Sequence, residues 1–335
     1  METIGAAVWA TGHGGRIIVE AGLTRPWLEF RGGIVYDTAK EGLDLGAACG
    51  LDARVGASVS ADVDAVLARP DIDVVFYAGI GTPEEVAAAC LRANQSGKDA
   101  ITISGLVHPR TILGAEVAAA LDTAARASGR RILGTGFWDY LTITLPLASL
   151  SNVLTFTEVR LERVADLTFW GPGILRDEGI GGPIESAGAG FMMRNFLVEA
   201  LMLLGESCGF ELDAPVFESV PVLSEVRRER EGYLVEPGTI CGHDRRVSAN
   251  VLGGGRLVSV WRGRFDLQPD RDGMEASARV VVEGDPPFET IIRGDIFRDT
   301  YPPTGVRAMA AVRPLMALPP GVHTIDELGQ RPIFG

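Results

Sequence analysis

Apolar and polar residues follow one pattern in the first half of the chain and a different one in the second half. Up to about Leu150, short apolar runs alternate with segments of helical periodicity. Strands are predicted from Ile4 onward and at 33–36, 71–77, 98–104 and 130–134, and helices at 16–21, 83–91, 114–128 and 141–150. Alternating strands and helices are typical of a parallel, doubly wound sheet, so we predict an α/β Rossmann domain over residues 1–150.

After Pro146 the apolar residues recur at every second position. Strands are predicted at 155–164, 256–265, 275–283 and 288–293, a hairpin turn at 251–256, and helices at 186–205 and 304–315. Strands with one polar face form an open sheet that a helix or a partner subunit must cover. We therefore predict an α+β domain with an open mixed or antiparallel sheet over 151–303, and a segment 304–335 that returns to the first domain.

A glycine-rich turn follows the first apolar run. Gly12 and Gly15 stand at the second and third glycine positions of the dinucleotide fingerprint, and Ala10 replaces the first. Beyond the next predicted strand, Asp37 stands where an acid would bind the ribose hydroxyls of a dinucleotide. The pattern predicts dinucleotide contacts from Ala10, Thr11, Gly12, His13, Gly14, Gly15, Asp37, Lys40, Gly79, Ser104 and Gly136.

The residues after the second strand bear on which nicotinamide cofactor is used. Asp37 favours NAD(H), because its carboxylate would repel the 2'-phosphate of NADP(H) at close range. Thr38 and Lys40 are placed to hold a phosphate, so NADP(H) is the alternative.

Composition narrows the class of partner. The 335 residues carry a formal net charge of −13 with scattered arginines, which argues against a nucleic-acid surface, and no apolar run is long enough to span a membrane. We expect small-molecule partners and, since no basic and apolar leader precedes the first strand, a cytoplasmic location. The four cysteines lack C-x-x-C spacing, and His243 and His323 are isolated, so no metal site is expected.

Several short motifs occur in a characteristic order: Gly134-Thr-Gly136, Asp166, Gly179–Pro183 and the ending Arg313–Gly321. In this order the chain resembles the dihydrodipicolinate reductase-like oxidoreductases, in particular their 2,4-diaminopentanoate dehydrogenase and native amine dehydrogenase branch. The resemblance implies a Rossmann domain, a substrate domain whose open sheet pairs in a homodimer, and hydride transfer between a nicotinamide and an imine-type carbon.

The chain departs from that branch at two places. A bulky insert, Phe137-Trp-Asp-Tyr140, replaces a small loop, and Ser104 and Gly105 stand where the amine dehydrogenases carry an acid. We therefore expect an NAD(P)-dependent oxidoreductase acting on a carbonyl, imine or conjugated double bond of a bulky, largely apolar molecule. The alternatives are an amine dehydrogenase that uses Asp139 as its acid, and a nucleotide-binding regulator without turnover.

Side chains just beyond the last strands of a Rossmann sheet can reach a substrate. The catalytic candidates are His108, Asp139 and Tyr140, although His108 also suits a turn, Asp139 an N-cap of helix 141–150, and Tyr140 simple packing. The substrate-binding candidates are Phe137, Trp138, Asp166 and Trp170, whereas Phe169, Phe191, Met192 and Met193 are more typical of a core.

Overall fold

The computed structural model describes residues 3–187, 191–297 and 299–328. Its strands are β1 Ile4–Trp9, β2 Leu28–Ile34, β3 Val59–Ser60, β4 Val74–Tyr77, β5 Asp99–Thr102, β6 Arg131–Gly134, β7 Thr155–Asp166, β8 Val216–Leu223, β9 Arg228–Arg230, β10 Tyr233–Val235, β11 Ile240–Asn250, β12 Arg256–Arg264, β13 Ser277–Asp285, β14 Phe288–Arg293 and β15 Gly321–His323.

The α-helices are α1 His13–Leu23, α2 Leu45–Ala48, α3 Val63–Leu67, α4 Pro83–Gln95, α5 Pro109–Leu113, α6 Ala115–Ser128, α7 Phe137–Asp139, α8 Leu145–Leu150, α9 Pro172–Asp177, α10 Phe191–Ser207, α11 Pro269–Asp272 and α12 Tyr301–Met316. Short 3₁₀ turns occur at Thr38–Lys40, Ile184–Ser186, Asp295–Phe297 and Ile325–Glu327, and a π-helical turn at Tyr140–Thr144. Among the residues that the structure describes, no helix is long and apolar enough to cross a membrane.

The chain forms two compact units, Met1–Asp139 with Tyr301–Gly335, and Tyr140–Thr300. In the first unit the strands lie in the order β15-β6-β5-β4-β1-β2-β3, and every pair of neighbours is parallel. The order reverses between β1 and β4, and such a switch point opens a crevice at the carboxyl ends of the strands. The predicted Rossmann domain is confirmed.

The second strand is not where the sequence pattern put it. The prediction was 33–36, but β2 spans Leu28–Ile34 and pairs with β1 from Leu28 to Ile34. The structure extends the strand toward Leu28 because Leu28 and Phe30 both face the interior, a two-residue alternation too short to be recognised from the sequence. Asp37 therefore lies three residues beyond the strand and not directly at its end.

The second unit contains an open sheet in the order β14-β13-β7-β12-β11-β8. The pair β7 and β12 is parallel and the other neighbours are antiparallel, so the mixed form of the prediction is confirmed. Strands β8 and β11 were not predicted. In β11 the buried positions include His243 and Arg245, so the apolar alternation that marks a strand is missing from the sequence.

Two predicted helices differ at their starts. The helix predicted from Ser186 has a 3₁₀ turn at Ile184–Ser186 in its place, and the described helix Phe191–Ser207 packs on β11 and β12. The helix predicted at 141–150 starts as the π-helical turn and becomes α-helical at Leu145. Pro146 has no N–H to donate to the carbonyl of the residue four positions earlier, which interrupts regular α-helical hydrogen bonding at this place.

Candidate functional site

The glycine-rich turn between β1 and α1 lies at the switch point of the first sheet. A Cβ built on Gly15 would stand 2.1 Å from the Ala10 carbonyl oxygen, so only glycine lets α1 pack this closely on β1. A Cβ built on Gly12 would meet nothing within 4 Å. Ala10 itself has a φ of 82°, a conformation that glycine adopts without strain and alanine does not. The turn keeps its tight shape despite the missing glycine.

The start of α1 has no side-chain cap. Gly12 is its N-cap and its first turn contains no acidic residue, whereas Asp62 caps α3 and Thr82 caps α4 through side-chain oxygens. The first N–H groups of a helix need a partner, and a diphosphate is a common one. The open space at Gly12 and the uncapped N–H groups therefore fit the pyrophosphate of a dinucleotide.

The segment after β2 carries one acid and one base. Asp37 is exposed, and its carboxylate accepts a hydrogen bond from the Ala39 N–H at 2.9 Å. The Lys40 ammonium donates to the Ala48 carbonyl at 2.8 Å and lies 3.4 Å from the Thr11 hydroxyl. Lys40 is thus held against the glycine-rich turn, while Asp37 faces solvent.

The carboxyl end of β4 meets the end of β2 through two tyrosines. The hydroxyls of Tyr36 and Tyr77 lie 3.4 Å apart, and a Cβ on Gly79 would approach the Tyr77 hydroxyl to 2.5 Å. Burial raises the pKa of Tyr77 above its ordinary value, and the contact with Tyr36 adds to the shift. Gly79 therefore has a packing reason to be glycine, beside its predicted contact with a cofactor.

The loop after β5 holds two predicted residues. The Ser104 N–H donates to the Thr102 hydroxyl at 3.0 Å. His108 is buried at the start of α5, and its Nδ1 lies 2.7 Å from the Thr111 hydroxyl three residues later. This contact agrees with the alternative that His108 is a structural residue of a turn. Catalysis by its ring stays a prediction.

The insert after β6 buries its acid. Asp139 is 2% exposed, and its carboxylate accepts a hydrogen bond from the Gly136 N–H at 2.6 Å. An acid in the first turn of a helix reaches back in this way in a capping box. Asp139 therefore serves the start of α7, and the predicted N-cap of helix 141–150 was wrong, because the chain is already helical at Phe137.

The Asp139 carboxyl has a raised pKa. Burial raises the pKa of its carboxyl to about 6, against the lowering effects of the Gly136 N–H and the positive charge of Arg307. A buried acid with a pKa near the working pH can exchange a proton with a substrate. The raised pKa therefore agrees with the prediction of Asp139 as a general acid–base residue.

The aromatic residues of the insert differ in exposure. Phe137 is buried and its N–H donates to the Thr304 hydroxyl at 3.3 Å, Trp138 is half-buried against Phe137, and Tyr140 is 39% exposed. His13, exposed at the start of α1, stacks edge-on to Tyr301 of α12 at 4.2 Å. The first residues of α12 therefore contact the glycine-rich turn.

The predicted residues of the second unit have structural contacts. Asp166 accepts from the N–H and hydroxyl of Thr168, and burial, followed by the negative charge of Asp266, raises its pKa against those hydrogen bonds. Trp170 is buried against Trp261, with ring centroids 5.6 Å apart. Phe169 lines a recess of about 180 Å³ with Leu175 and Tyr233.

The structure describes the side chain of one of the remaining core candidates. Met193 is buried in α10, while the side chains of Phe191 and Met192 lie outside the described residues. Within the described ranges no three His, Cys, Asp or Glu side chains are grouped to hold a metal ion. The prediction that His323 is isolated was wrong, because its Nδ1 lies 2.9 Å from the carboxylate of Glu327, four residues further along the chain.

Sequence reasoning missed a group of buried charges in the second unit. Arg245 of β11 donates to the carboxylate of Glu178, and His243 Nε2 lies 2.7 Å from the Glu178 carbonyl. Burial and the nearby Arg245 lower the pKa of His243 to about 4, so its ring is neutral near pH 7. Arg163 of β7 is also buried, beside the hydroxyl of Ser259. No local motif marks these residues.

The strand order and the uncapped helix of the first unit are typical of a dinucleotide-binding domain, and comparison with known proteins shows the class of enzyme. The family of 2,4-diaminopentanoate dehydrogenase C-terminal domains matches residues 138–332. The chain belongs to this family. It is an NAD(P)-dependent oxidoreductase, and the alternative of a regulator without turnover is set aside.

Individual relatives agree with this assignment. An amine dehydrogenase of Streptomyces virginiae is 26% identical over 360 residues, covering 99% of this chain and 98% of its own length. The 2,4-diaminopentanoate dehydrogenase of Acetoanaerobium sticklandii is 22% identical over 224 residues, covering 64% of this chain and 61% of its own. The solved amine dehydrogenase of Mycobacterium smegmatis has the same fold, with a TM-score of 0.85, 22% identity and 98% of both chains covered.

Proposed function

We propose that this enzyme is an amine dehydrogenase, which interconverts an amine with its imine and the corresponding carbonyl compound. The observation that carries the proposal is the Asp139 carboxyl, buried just after β6 with a pKa of about 6. It supplies the acid that the chain lacks at Ser104 and Gly105. The family and the named relatives support the same chemistry.

When bound, a nicotinamide would supply the hydride chemistry at the substrate carbon that bears the amino group. The substrate must first lose a proton from its ammonium group, and the Asp139 carboxylate, with a pKa raised to about 6, would accept it. The uncapped N–H groups of α1 would hold the pyrophosphate.

The proposal is tested by incubating the enzyme with oxidised NAD or NADP and three matched series of amines, alcohols and saturated ketones, followed by the absorbance of reduced nicotinamide. Turnover of amines, with ammonia released in equal amount, is expected. Turnover confined to the alcohols or the ketones would overturn it.

A second candidate is reduction of a carbonyl or conjugated double bond in a bulky apolar molecule. Tyr140, with its exposed ring, favours it because a phenol can donate a hydrogen bond to a developing oxyanion. In that reaction Tyr140→Phe would lower kcat by about a hundredfold, since one such donor contributes roughly that factor. An unchanged kcat would remove Tyr140 from the mechanism.

We infer that NAD(H) is the preferred cofactor. The exposed Asp37 carboxylate supports this preference, and the hydrogen bond that ties Lys40 to Ala48 restrains the cation that would favour NADP(H). Asp37→Ser should raise kcat/KM with NADP relative to NAD, and Lys40→Ala should lower it. A ratio that neither substitution changes would place the adenosine ribose elsewhere.

We also infer a homodimer in the cytoplasm. One face of the open sheet packs on α10, while its opposite face carries the ion pairs of Arg160 with Glu158 and Glu162, and Val220 at its edge is 61% exposed. An open sheet face of this kind is commonly covered by a second copy. The four free cysteines support a reducing compartment.

A further inference from the structure

Two buried arginines share one row of the open sheet in the second unit. Arg163 of β7 and Arg245 of β11 both pair with Trp261 of β12, which lies between them in the register. Arg163 is 4% exposed and Arg245 is 1% exposed. A guanidinium stays protonated in proteins, so each of these side chains brings a positive charge into the interior.

The charge of Arg245 is compensated within the chain. Its Nη2 donates to the Glu178 carboxylate, its Nε donates to the Ser219 hydroxyl at 3.3 Å, and its guanidinium lies 5.4 Å from the ring centroid of Trp261. Glu178 is as buried as the arginine. This pair satisfies the rule that a buried charge needs a partner of opposite sign.

Arg163 has no such partner. Its Nη2 donates to the Ser259 hydroxyl, its Nε is buried without a hydrogen bond, and no acid within the described ranges forms an ion pair with it. Leu161 and Ala165, on the same face of β7, are fully buried apolar residues. Burial alone lowers the pKa of Arg163 to about 9, with no carboxylate to oppose it. Arg163 is therefore a costly buried cation that no acid in the described part of the chain neutralises.

We propose that Arg163 and Ser259 form an anion-binding subsite that takes a carboxylate group of the enzyme's small-molecule substrate. A guanidinium presents its N–H groups in a planar fork that matches the two oxygens of a carboxylate. The Ser259 hydroxyl adds a further polar group beside it. That the bound carboxylate belongs to the substrate rests on the proposed function. The substrate class would then be amino acids and the corresponding oxo acids.

The subsite is tested first by binding, without cofactor or turnover. The melting temperature is measured at constant ionic strength with sodium butanoate, with the uncharged butanamide, and with sodium sulfate. We expect butanoate to give a saturable rise of about 3 °C at ten times its Kd. Butanamide should give none. A response to sulfate alone would show an inorganic anion site and overturn the carboxylate assignment.

Three variants test whether the rise in melting temperature with butanoate depends on Arg163. Arg163→Met replaces the cation with an apolar chain of similar length, so it should fold, melt higher than the wild type in anion-free buffer, and no longer respond to butanoate. Arg163→Lys keeps a point charge and should retain a weaker response. Arg245→Lys, the matched control, keeps a cation beside Glu178 and should respond like the wild type. An equal response in Arg163→Met, or none in the wild type, overturns the proposal.

Kinetics then separate the subsite from the proposed function. For a panel of amino acids and their methyl esters, Arg163→Met should lower the acid-to-ester ratio of kcat/KM by roughly thirtyfold or more, because truncating one partner of a buried charge pair has effects of that size. An unchanged ratio overturns the assignment of the anion to the substrate. Arg163-dependent binding of butanoate without turnover of any amine supports the subsite and contradicts the proposed amine chemistry.

Discussion

Replacing Asp139 with asparagine separates stability from catalysis at the centre of the candidate site. Asparagine keeps an oxygen that can accept the Gly136 N–H and removes the ionisable proton. Folding raises the pKa of Asp139 from 3.8 to about 6. A carboxyl with a raised pKa makes its full contribution to stability below pH 3.8, and this contribution is lost as the pH rises through 6.

The size of the effect follows from the two pKa values. By linkage, the free energy of unfolding of the wild type falls by about 3 kcal/mol in all from low pH to pH 8, and roughly half of this fall is complete at pH 5. The asparagine side chain does not titrate, so the stability that Asp139→Asn gains over the wild type should be larger at pH 8 than at pH 5 by roughly half of that total. Packing costs of the new side chain do not depend on pH and cancel in this difference.

The assay is urea unfolding of both proteins at pH 5 and pH 8. Asp44→Asn is the matched control. Burial acts to raise the pKa of Asp44, but hydrogen bonds from Val55, Gly56 and Gly46 lower it overall. The stability that its carboxylate contributes is therefore present at both pH 5 and pH 8. Asp44→Asn should therefore destabilise the protein equally at both pH values. A difference between pH values that is the same for both variants would refute the raised pKa of Asp139.

The same variant tests catalysis. If Asp139 accepts the substrate proton, Asp139→Asn should lower kcat by about a hundredfold or more while the protein becomes more stable. Stability gained together with activity lost is typical of a residue kept for function. Full activity in a stabilised variant would leave Asp139 with a structural role only.

Three further predictions concern the glycine-rich turn and the sheet. Gly12→Ala should leave stability within about 0.5 kcal/mol, because its Cβ meets open space, yet raise the KM for the cofactor about tenfold; an unchanged KM would move the pyrophosphate elsewhere. Gly15→Ala should destabilise the protein by about 1–3 kcal/mol in thermal or urea unfolding, since its Cβ meets a carbonyl oxygen; wild-type stability would contradict that packing. Val220→Glu should weaken the proposed dimer about tenfold in sedimentation; an unchanged dimer would exclude that face.

The Rossmann half could be predicted because its information is local. Strand, glycine-rich turn and helix follow one another between Ile4 and Leu23, and the roles of Gly12 and Gly15 depend only on neighbouring backbone. Asp139 shows where local reading fails. An aspartate at this position correctly indicates the start of a helix. The backbone is already helical at Phe137, however, so the Asp139 carboxylate contacts the preceding Gly136 and does not cap a helix that begins at Leu141.

The buried charges of the second unit could not be predicted for a different reason. In the sequence Arg163 and Arg245 look alike, since each stands among charged residues. What distinguishes them is a contact across the fold: Glu178, 67 residues before Arg245, reaches one guanidinium, and no described acid reaches the other. A pattern of polar residues cannot tell a compensated charge from an uncompensated one, because compensation depends on which strands become neighbours. The predicted mixed or antiparallel sheet named no strand partners, and the parallel pairing of β7 with β12 is what places Arg163 beside Ser259 and Trp261.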